Sequence, residues 1–176
     1  PRLDKRAEIY GSQKTIPATV SFVDIAGIVR GASTGEGMGN EFLANIREAD
    51  AICQVTRVFE DPDVTHVDGK VNPGNDIDTI RTELILADIQ TMEKAMPKLE
   101  KEARIKKEMR PKYDAWQKAY EILSEGKGIF QSDLDPEPLR ELFLLTAKPY
   151  IYVFNLDQDE LGNEELKSKL ADIVAP

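Results

Sequence analysis

The fold is decided by one stretch near the start of the chain, where a short apolar run passes into a glycine-rich segment: Thr19-Val20-Ser21-Phe22-Val23-Asp24-Ile25-Ala26-Gly27-Ile28-Val29-Arg30-Gly31. Residues 19–23 alternate in polarity and are mostly β-branched or aromatic, which predicts a β-strand. Five glycines lie between positions 27 and 39, and residues 40–47 then resume helical spacing. We therefore expect a strand, a glycine-rich loop and a helix, in that order.

Two further apolar runs extend this pattern into an α/β domain. Residues 51–59 form a mostly apolar run of the kind found in parallel sheets that are covered on both faces. Residues 150–154 predict another buried strand. Because a strand, a helix and a strand in succession imply a right-handed crossover, we expect a parallel sheet.

A long helical segment interrupts the α/β pattern. It begins near Asp76, and its apolar residues recur at alternating four- and three-residue spacing, which requires a partner helix. These residues are Ile85, Ile89, Met92, Met96, Leu99 and Ala103. A second helix follows a break near Pro111 and offers the matching side: Tyr113, Trp116, Tyr120 and Leu123. We predict an antiparallel α-helical hairpin of the coiled-coil type, with a kink at Pro97.

The predicted elements divide the chain into three parts. Residues 1–75 form part of an α/β domain, residues 76–132 form the hairpin insertion, and residues 133–176 return to the α/β domain. Gly126 and Gly128 are expected to end the second helix of the hairpin. A short helix is expected between residues 136 and 146, just before the last strand.

Composition excludes several classes of protein. No apolar run approaches the ~18 residues that would span a bilayer. Cys53 is the single cysteine, so an intramolecular disulfide and a cysteine metal cluster are both unavailable. The first residues contain neither an initiator methionine nor a secretory signal, and we read this start as a truncation. A cytoplasmic setting is expected, with neither DNA nor a membrane as a partner.

Asp24 and Gly27 stand at the end of the first predicted strand, in the spacing that phosphoryl transfer uses. A carboxylate there can hold the shell of a Mg²⁺ ion, and a glycine lets its amide approach a γ-phosphate. A plain turn after a strand explains the same residues. Ile28 occupies the position where many GTPases carry a glutamine that orients the attacking water. His66, the only histidine, is a candidate for that role, although an ordinary loop histidine is the alternative.

Asn155 and Gln158 follow the last predicted strand, where this class of fold reads a nucleotide base. Guanine recognition usually places an aspartate three residues after the asparagine. A neutral amide both donates and accepts hydrogen bonds, which removes the reason to prefer guanine. A turn after a strand is again the alternative.

Charge is distributed unevenly along the chain. The net charge is −9, but residues 90–128 contain ten Lys/Arg and seven Asp/Glu. The cations that cluster at the predicted hairpin tip are Lys98, Lys101, Arg104, Lys106, Lys107, Arg110 and Lys112. They are suited to contact phosphates of a large RNA, and a solvated tip is the alternative.

Together these features resemble the Obg-like ATPase family, a branch of the translation-factor-related P-loop NTPases. The stretches that carry the resemblance are residues 22–33, residues 35–43, Phe59-Glu60-Asp61, Thr65-His66-Val67 and residues 143–149. The resemblance implies a P-loop NTPase core with a coiled-coil insertion, a preference for ATP over GTP, a requirement for Mg²⁺, and association with ribosomes or ribosomal RNA.

The resemblance also assigns roles to individual residues. Asp24 and Gly27 belong to the Mg²⁺ and γ-phosphate switch, and His66 matches a family loop histidine. Asn155 and Leu156 contact the adenine. Gln158 departs from the family, which usually has glutamate at that position.

A larger departure is the absence of the phosphate-binding motif Gly-x-x-x-x-Gly-Lys-Ser/Thr from the sequence. We therefore expect an interior fragment of an ATP-hydrolysing switch protein associated with translation, inactive when isolated. The alternatives are a GTPase of the same fold and a non-catalytic module that binds RNA or protein through the basic hairpin.

Overall fold

A computed structural model of the chain describes residues 2–25, 39–60 and 71–175. Gly27, Ile28 and His66 lie outside these ranges. Within the described residues, the helices are α1 (Arg2–Tyr10), α2 (Gly39–Glu48), α3 (Pro73–Ile105), α4 (Arg110–Ser124) and α5 (Glu164–Ile173), and the strands are β1 (Ile52–Arg57) and β2 (Tyr150–Asn155).

The two strands confirm the predicted parallel α/β architecture. β1 and β2 pair in parallel, with Ile52 opposite Tyr150 at one end and Arg57 opposite Asn155 at the other. The prediction that the strands are covered on both faces is wrong. Val55 is 65% exposed and Ile151 is 57% exposed. The covered face carries Ile52, Gln54 and Thr56 and lies against α3, whereas no described helix covers the opposite face.

The strand predicted at residues 19–23 is not formed in the structure. This segment is exposed and has no regular secondary structure, with Val20 76% and Phe22 83% exposed. A strand needs a neighbour for its amides and carbonyls, and no described strand pairs with this segment. Residues 19–23 have the alternating sequence of a strand, but they have no neighbouring described strand to pair with.

Helix α3 begins earlier than predicted and continues past its internal proline. It starts at Pro73, and the side chain of Asn72 caps it by accepting a hydrogen bond from the amide of Asn75. Proline suits the first helical turn because its missing amide has no partner there anyway. The helix continues through Pro97 to Ile105, so Pro97 does not end it.

Helix α4 packs back along α3. A 3₁₀ turn at Lys107–Met109 joins the two helices, and the hydroxyl of Tyr120 donates to Glu93 Oε1 at 3.1 Å. α4 ends as predicted: Gly126 has a φ of +77°, and Gly126 and Lys127 donate back to carbonyls in the last turn of α4. A cluster of buried apolar side chains, which we call the first cluster, holds α3 and α4 together. It contains Ile85, Met92, Leu99, Trp116, Ala119, Leu123, Ile129, Leu139, Leu142 and Leu144.

The helix predicted between residues 136 and 146 is replaced by two 3₁₀ turns, Glu137–Leu142 and Leu145–Ala147. Phe143 lies between them with a φ of +48°, in the left-handed region that breaks a helix. The amides of Leu145 and Thr146 donate to the side chain of Asp88 and not to a preceding turn. A side chain from α3 therefore determines the local structure before β2.

A second cluster joins α2, α3 and the turn before β2. Its buried members are Leu43, Ile46, Leu84, Ala87 and Leu145. Ile52 and Tyr150, the first residues of the two strands, pack against it. Among the described helices, none has the length and apolar character needed to cross a membrane.

Candidate functional site

The carboxyl ends of β1 and β2 form the edge of the sheet at which a ligand is expected. Arg57 and Asn155 are paired there. The carbonyl of Asn155 accepts hydrogen bonds from the amides of Val58 at 2.9 Å and Phe59 at 3.4 Å. The chain leaving β1 is thereby fixed beside the end of β2, while the side chain of Asn155 remains exposed.

The residues after β2 are held by a cap that sequence reasoning missed. Asp157 caps the 3₁₀ turn Gln158–Gly162, and the side chain of Glu160 accepts a hydrogen bond from the Asp157 amide at 3.2 Å. The Asp-x-x-Glu spacing was the available signal. This box orders the backbone that carries Leu156, which is half-buried, and Gln158, which is exposed.

Asp24 lies in the segment without regular secondary structure that precedes the glycine-rich stretch. Its side chain is exposed, and the next residue, Ile25, packs against the second cluster. No described contact joins Asp24 to Asn155 or Gln158, so the described residues do not assemble these candidates into one site. Among the described residues, no group of three or more His, Cys, Asp or Glu side chains is placed to hold a metal.

A single exposed carboxylate nevertheless fits Mg²⁺. This ion keeps several water ligands and is usually bound through one or two carboxylates together with substrate phosphates. Asp24 forms no ion pair with any other described residue, so both of its oxygens are available. A complete protein cage is not required for this mode of binding.

Polar side chains are buried on the covered face of the sheet, although the sequence of β1 lies in a mostly apolar run. Tyr150 Oη donates to Gln54 Oε1 at 2.6 Å, and burial raises the pKa of the Tyr150 phenol. Gln54 Nε2 and Thr56 Oγ1 are buried without a hydrogen-bond partner in the described chain. Such buried polar groups are normally satisfied by protein, water or a ligand.

Asp88 on α3 positions the start of β2. It is fully buried, and its carboxylate accepts hydrogen bonds from the amide of Leu145 at 2.8 Å, the amide of Thr146 at 2.8 Å and the hydroxyl of Thr146 at 2.7 Å. Burial raises the pKa of the Asp88 carboxyl, and these donors, with nearby Arg47, oppose that rise. Asp88 thus ties α3 to the turn that leads into β2.

Arg47 and Lys148 tie α2 to the same region. Arg47 donates to Thr91 Oγ1 at 2.9 Å and to the carbonyl of Phe143 at 3.0 Å. Lys148 Nζ donates to the carbonyls of Arg47, at 3.0 Å, and Ala49. A cation at the carboxyl end of a helix satisfies orphan carbonyls and complements the helix dipole. The helix that follows the glycine-rich segment is therefore fixed to α3 and to the approach of β2.

Replacing Lys148 by methionine should lower the free energy of unfolding by about 1.5–3 kcal/mol, because the carbonyls at the end of α2 lose a charged donor. Urea unfolding followed by circular dichroism measures the change. Lys169→Met is the matched control, since Lys169 is exposed and its ion pair with Glu165 lies on the surface. Its effect should stay within about 0.5 kcal/mol. Equal effects of the two substitutions would show that Lys148 does not anchor α2.

The basic tract at the end of α3 and the start of α4 divides into two groups. Three of its cations form ion pairs: Arg104 with Glu100, Arg110 with Asp114, and Lys112 with Glu141. The remaining four, Lys98, Lys101, Lys106 and Lys107, are exposed and form no ion pair with another described residue. The sequence predicted the cluster but not this division.

Comparison with known proteins identifies the family. The chain is 44% identical to the ribosome-binding ATPase YchF of Pasteurella multocida over 99% of its length, and 43% identical to that of Bacillus subtilis over 98%. The solved structure of the Schizosaccharomyces pombe YchF GTPase matches 97% of the chain, with 35% identity and a TM-score of 0.73. The chain is homologous to the YchF proteins of the Obg-like family.

A sequence profile described as a 50S ribosome-binding GTPase also matches residues 5–87, which include α2, β1 and the start of α3. The chain spans about half the length of the YchF relatives, 49% of the Pasteurella protein and 49% of the Schizosaccharomyces chain. The predicted resemblance to Obg-like proteins is therefore confirmed. The names of these relatives differ in the nucleotide, ATPase in one case and GTPase in the other.

Proposed function

We propose that the full-length protein is an ATP-hydrolysing switch that works with the ribosome in the cytoplasm. The observation that carries the proposal is the position of Asn155 and Gln158 at the carboxyl edge of a parallel sheet, which is where open α/β folds bind their ligands. The similarity to ribosome-binding ATPases over nearly the whole chain supports it.

In this proposal the described residues have separate roles. Asp24 holds Mg²⁺, which when bound neutralises charge on the phosphates. Asn155 and Leu156 contact the adenine, and Gln158 offers an amide that both donates and accepts. Gly27 approaches the γ-phosphate and His66 orients the attacking water, in place of the glutamine that Ile28 replaces.

The inserted helices provide the contact with the partner. α3 and α4 form a coiled-coil hairpin, as the apolar seam and their packing support. The basic tract, consisting of Lys98, Lys101, Arg104, Lys106, Lys107, Arg110 and Lys112, faces ribosomal RNA. The similarity to ribosome-binding relatives favours this partner.

Replacing Asp24 by asparagine in the full-length protein should reduce Mg²⁺-dependent ATP turnover by about 100-fold, because the metal loses a charged ligand. Phosphate release at saturating ATP over a Mg²⁺ titration measures the effect. Asp50→Asn is the matched control, an exposed aspartate in the turn before β1, and should leave turnover within about twofold. Turnover by Asp24→Asn within threefold of wild type would contradict the assignment.

GTP is the alternative nucleotide, and the name of the Schizosaccharomyces protein favours it. Competition between ATP and GTP for the full-length protein decides between them. Tighter binding of ATP supports the proposed role of Gln158. Tighter binding of GTP would assign the protein to the GTPases of the same fold.

A further inference from the structure

Three lysines form a row along the outer face of α3. Lys94, Lys98 and Lys101 are separated by four and three residues, so they lie above one another on a helix. All three are exposed. Met92, Leu99 and Ala103 are buried on the opposite side of the same helix. The row therefore points away from α4. We call it the lysine row.

The lysine row differs in its surroundings from the three paired cations of the basic tract. Lys94, Lys98 and Lys101 form no ion pair with any other described residue. By contrast, Arg104, Arg110 and Lys112 lie 2.6, 2.9 and 2.7 Å from carboxylates. A phosphate that approaches a paired cation meets the carboxylate as well, so the pair offers little net attraction. Within α3, the lysines of this stretch that lack a described carboxylate partner therefore lie on its outer face. Lys106 and Lys107 are also unpaired among the described residues, and they follow the end of the helix.

The spacing of the lysine row suits a polyanion. At 1.5 Å per residue, the row spans about 10 Å along the helix axis. A nucleic-acid strand rises about 3.4 Å per phosphate, so three long, flexible side chains cover about three successive phosphates. The neighbouring positions Gln90 and Thr91 are polar. A protein partner would need a buried apolar centre, which the row does not offer between Thr91 and Lys101.

The base of the row is fixed to the rest of the molecule. Lys94 borders a hollow of about 160 Å³ between α2 and α3, which Arg47 and Thr91 also line. The hydrogen bond from Arg47 to Thr91 holds the two helices together at this point. The lysine row therefore keeps its orientation relative to α2, and a bound strand meets a rigid surface.

We propose that the outer face of α3, at Lys94, Lys98 and Lys101, binds the phosphate backbone of RNA, and that the paired cations Arg104, Arg110 and Lys112 contribute little. This rests on the proposed function, which it deepens by stating which face of the hairpin meets the ribosome. Lys94 lies outside the basic tract that the sequence indicated, and three members of that tract are excluded.

The test compares two triple variants that remove the same charge from the full-length protein. One is Lys94→Gln, Lys98→Gln and Lys101→Gln; the other is Arg104→Gln, Arg110→Gln and Lys112→Gln. Binding to a ribosomal RNA fragment is measured without nucleotide between 50 and 200 mM KCl. The first variant should bind at least about tenfold more weakly at 50 mM, with a log–log salt slope shallower by about 2–3 units. The second should change the slope by less than about 1 unit.

Each other outcome overturns the proposal. Equal losses of RNA affinity in the two triple variants would show that only net charge matters. An unchanged salt slope in the variant that lacks the three lysines would show that the lysine row does not contact the RNA. Loss of binding to intact ribosomes with unchanged binding to naked RNA would assign the row to an acidic protein. Thermal unfolding of each variant checks that the fold is intact. Because nucleotide is absent, failure of the ATPase assignment appears only in nucleotide titration and turnover.

Discussion

Replacing Asp88 by alanine is expected to lower the free energy of unfolding by about 3–5 kcal/mol, a large part of the about 5–15 kcal/mol that stabilises a typical domain. The carboxylate accepts three hydrogen bonds, from the amides of Leu145 and Thr146 and the hydroxyl of Thr146. Alanine removes the acceptor of all three donors, of which the Leu145 amide is buried and the two Thr146 groups are partly buried. Each unsatisfied buried donor costs about 1–3 kcal/mol. Urea unfolding measures the sum.

Asp78→Ala is the matched control for this prediction. Asp78 lies on the same helix, but its side chain is exposed. Surface substitutions of this kind usually stay within about 0.5 kcal/mol. A loss below about 1 kcal/mol for Asp88→Ala would mean that the turn before β2 does not depend on α3.

The effect of Asp88→Ala should also depend on pH. Burial raises the folded-state pKa of this carboxyl above the ordinary 3.8. The folded state therefore binds the proton more tightly than the unfolded state. The stability that comes from this bound proton is complete below the unfolded pKa and is lost as pH rises through the folded pKa. The difference in free energy of unfolding between wild type and Asp88→Ala should accordingly be largest below about pH 4 and become smaller as the pH increases.

Replacing Trp116 by alanine is expected to lower the free energy of unfolding by about 3–5 kcal/mol. Trp116 is 3% exposed in the first cluster, and its Nε1 donates to the carbonyl of Pro138 at 2.8 Å. The substitution removes a large apolar ring between α3, α4 and the turn Glu137–Leu142, and it leaves a cavity that packed helices cannot close fully. Unfolding should be followed by circular dichroism, since Trp116 is the only tryptophan.

Two variants separate the contributions at this position. Trp116→Phe keeps an aromatic ring but loses the hydrogen bond to Pro138, and it should be clearly less destabilising than alanine. Lys118→Ala, an exposed site on the same helix, should change stability by less than about 0.5 kcal/mol. If Trp116→Ala cost no more than Lys118→Ala, the packing of α4 against α3 would not rest on this residue.

Local patterns in the sequence were sufficient for elements whose structure depends on nearby residues. The parallel strands lie within two residues of their predicted bounds, because apolar runs of that length favour strands. Gly126 ends α4 as predicted, because its positive φ is a local requirement. The segment at residues 136–146 could not be predicted in this way. Its conformation depends on Asp88, which lies 57 positions from Leu145.

The same distinction between local and long-range determinants applies to the candidate site. The position of Asn155 followed from the strand that precedes it. The capping box of Asp157 and Glu160 had a sequence signal that went unused. The sequence also showed where the cations of the basic tract lie, but which of them form ion pairs depends on the three-dimensional structure. Lys112 pairs with Glu141, which lies far along the chain, and spacing alone does not reveal that contact.

The parallel pairing of β1 and β2 has a consequence for the order of folding. About ninety residues separate the two strands, and joining them directly means closing a long loop before any contact repays the lost chain entropy. α3 and α4 are neighbours in sequence and pack through local contacts, so they can form first. Once they have formed, α3 and α4 shorten the effective loop, and Asp88 supplies an anchor for the turn before β2. We therefore expect these two helices to act as an internal scaffold, with the sheet completed last.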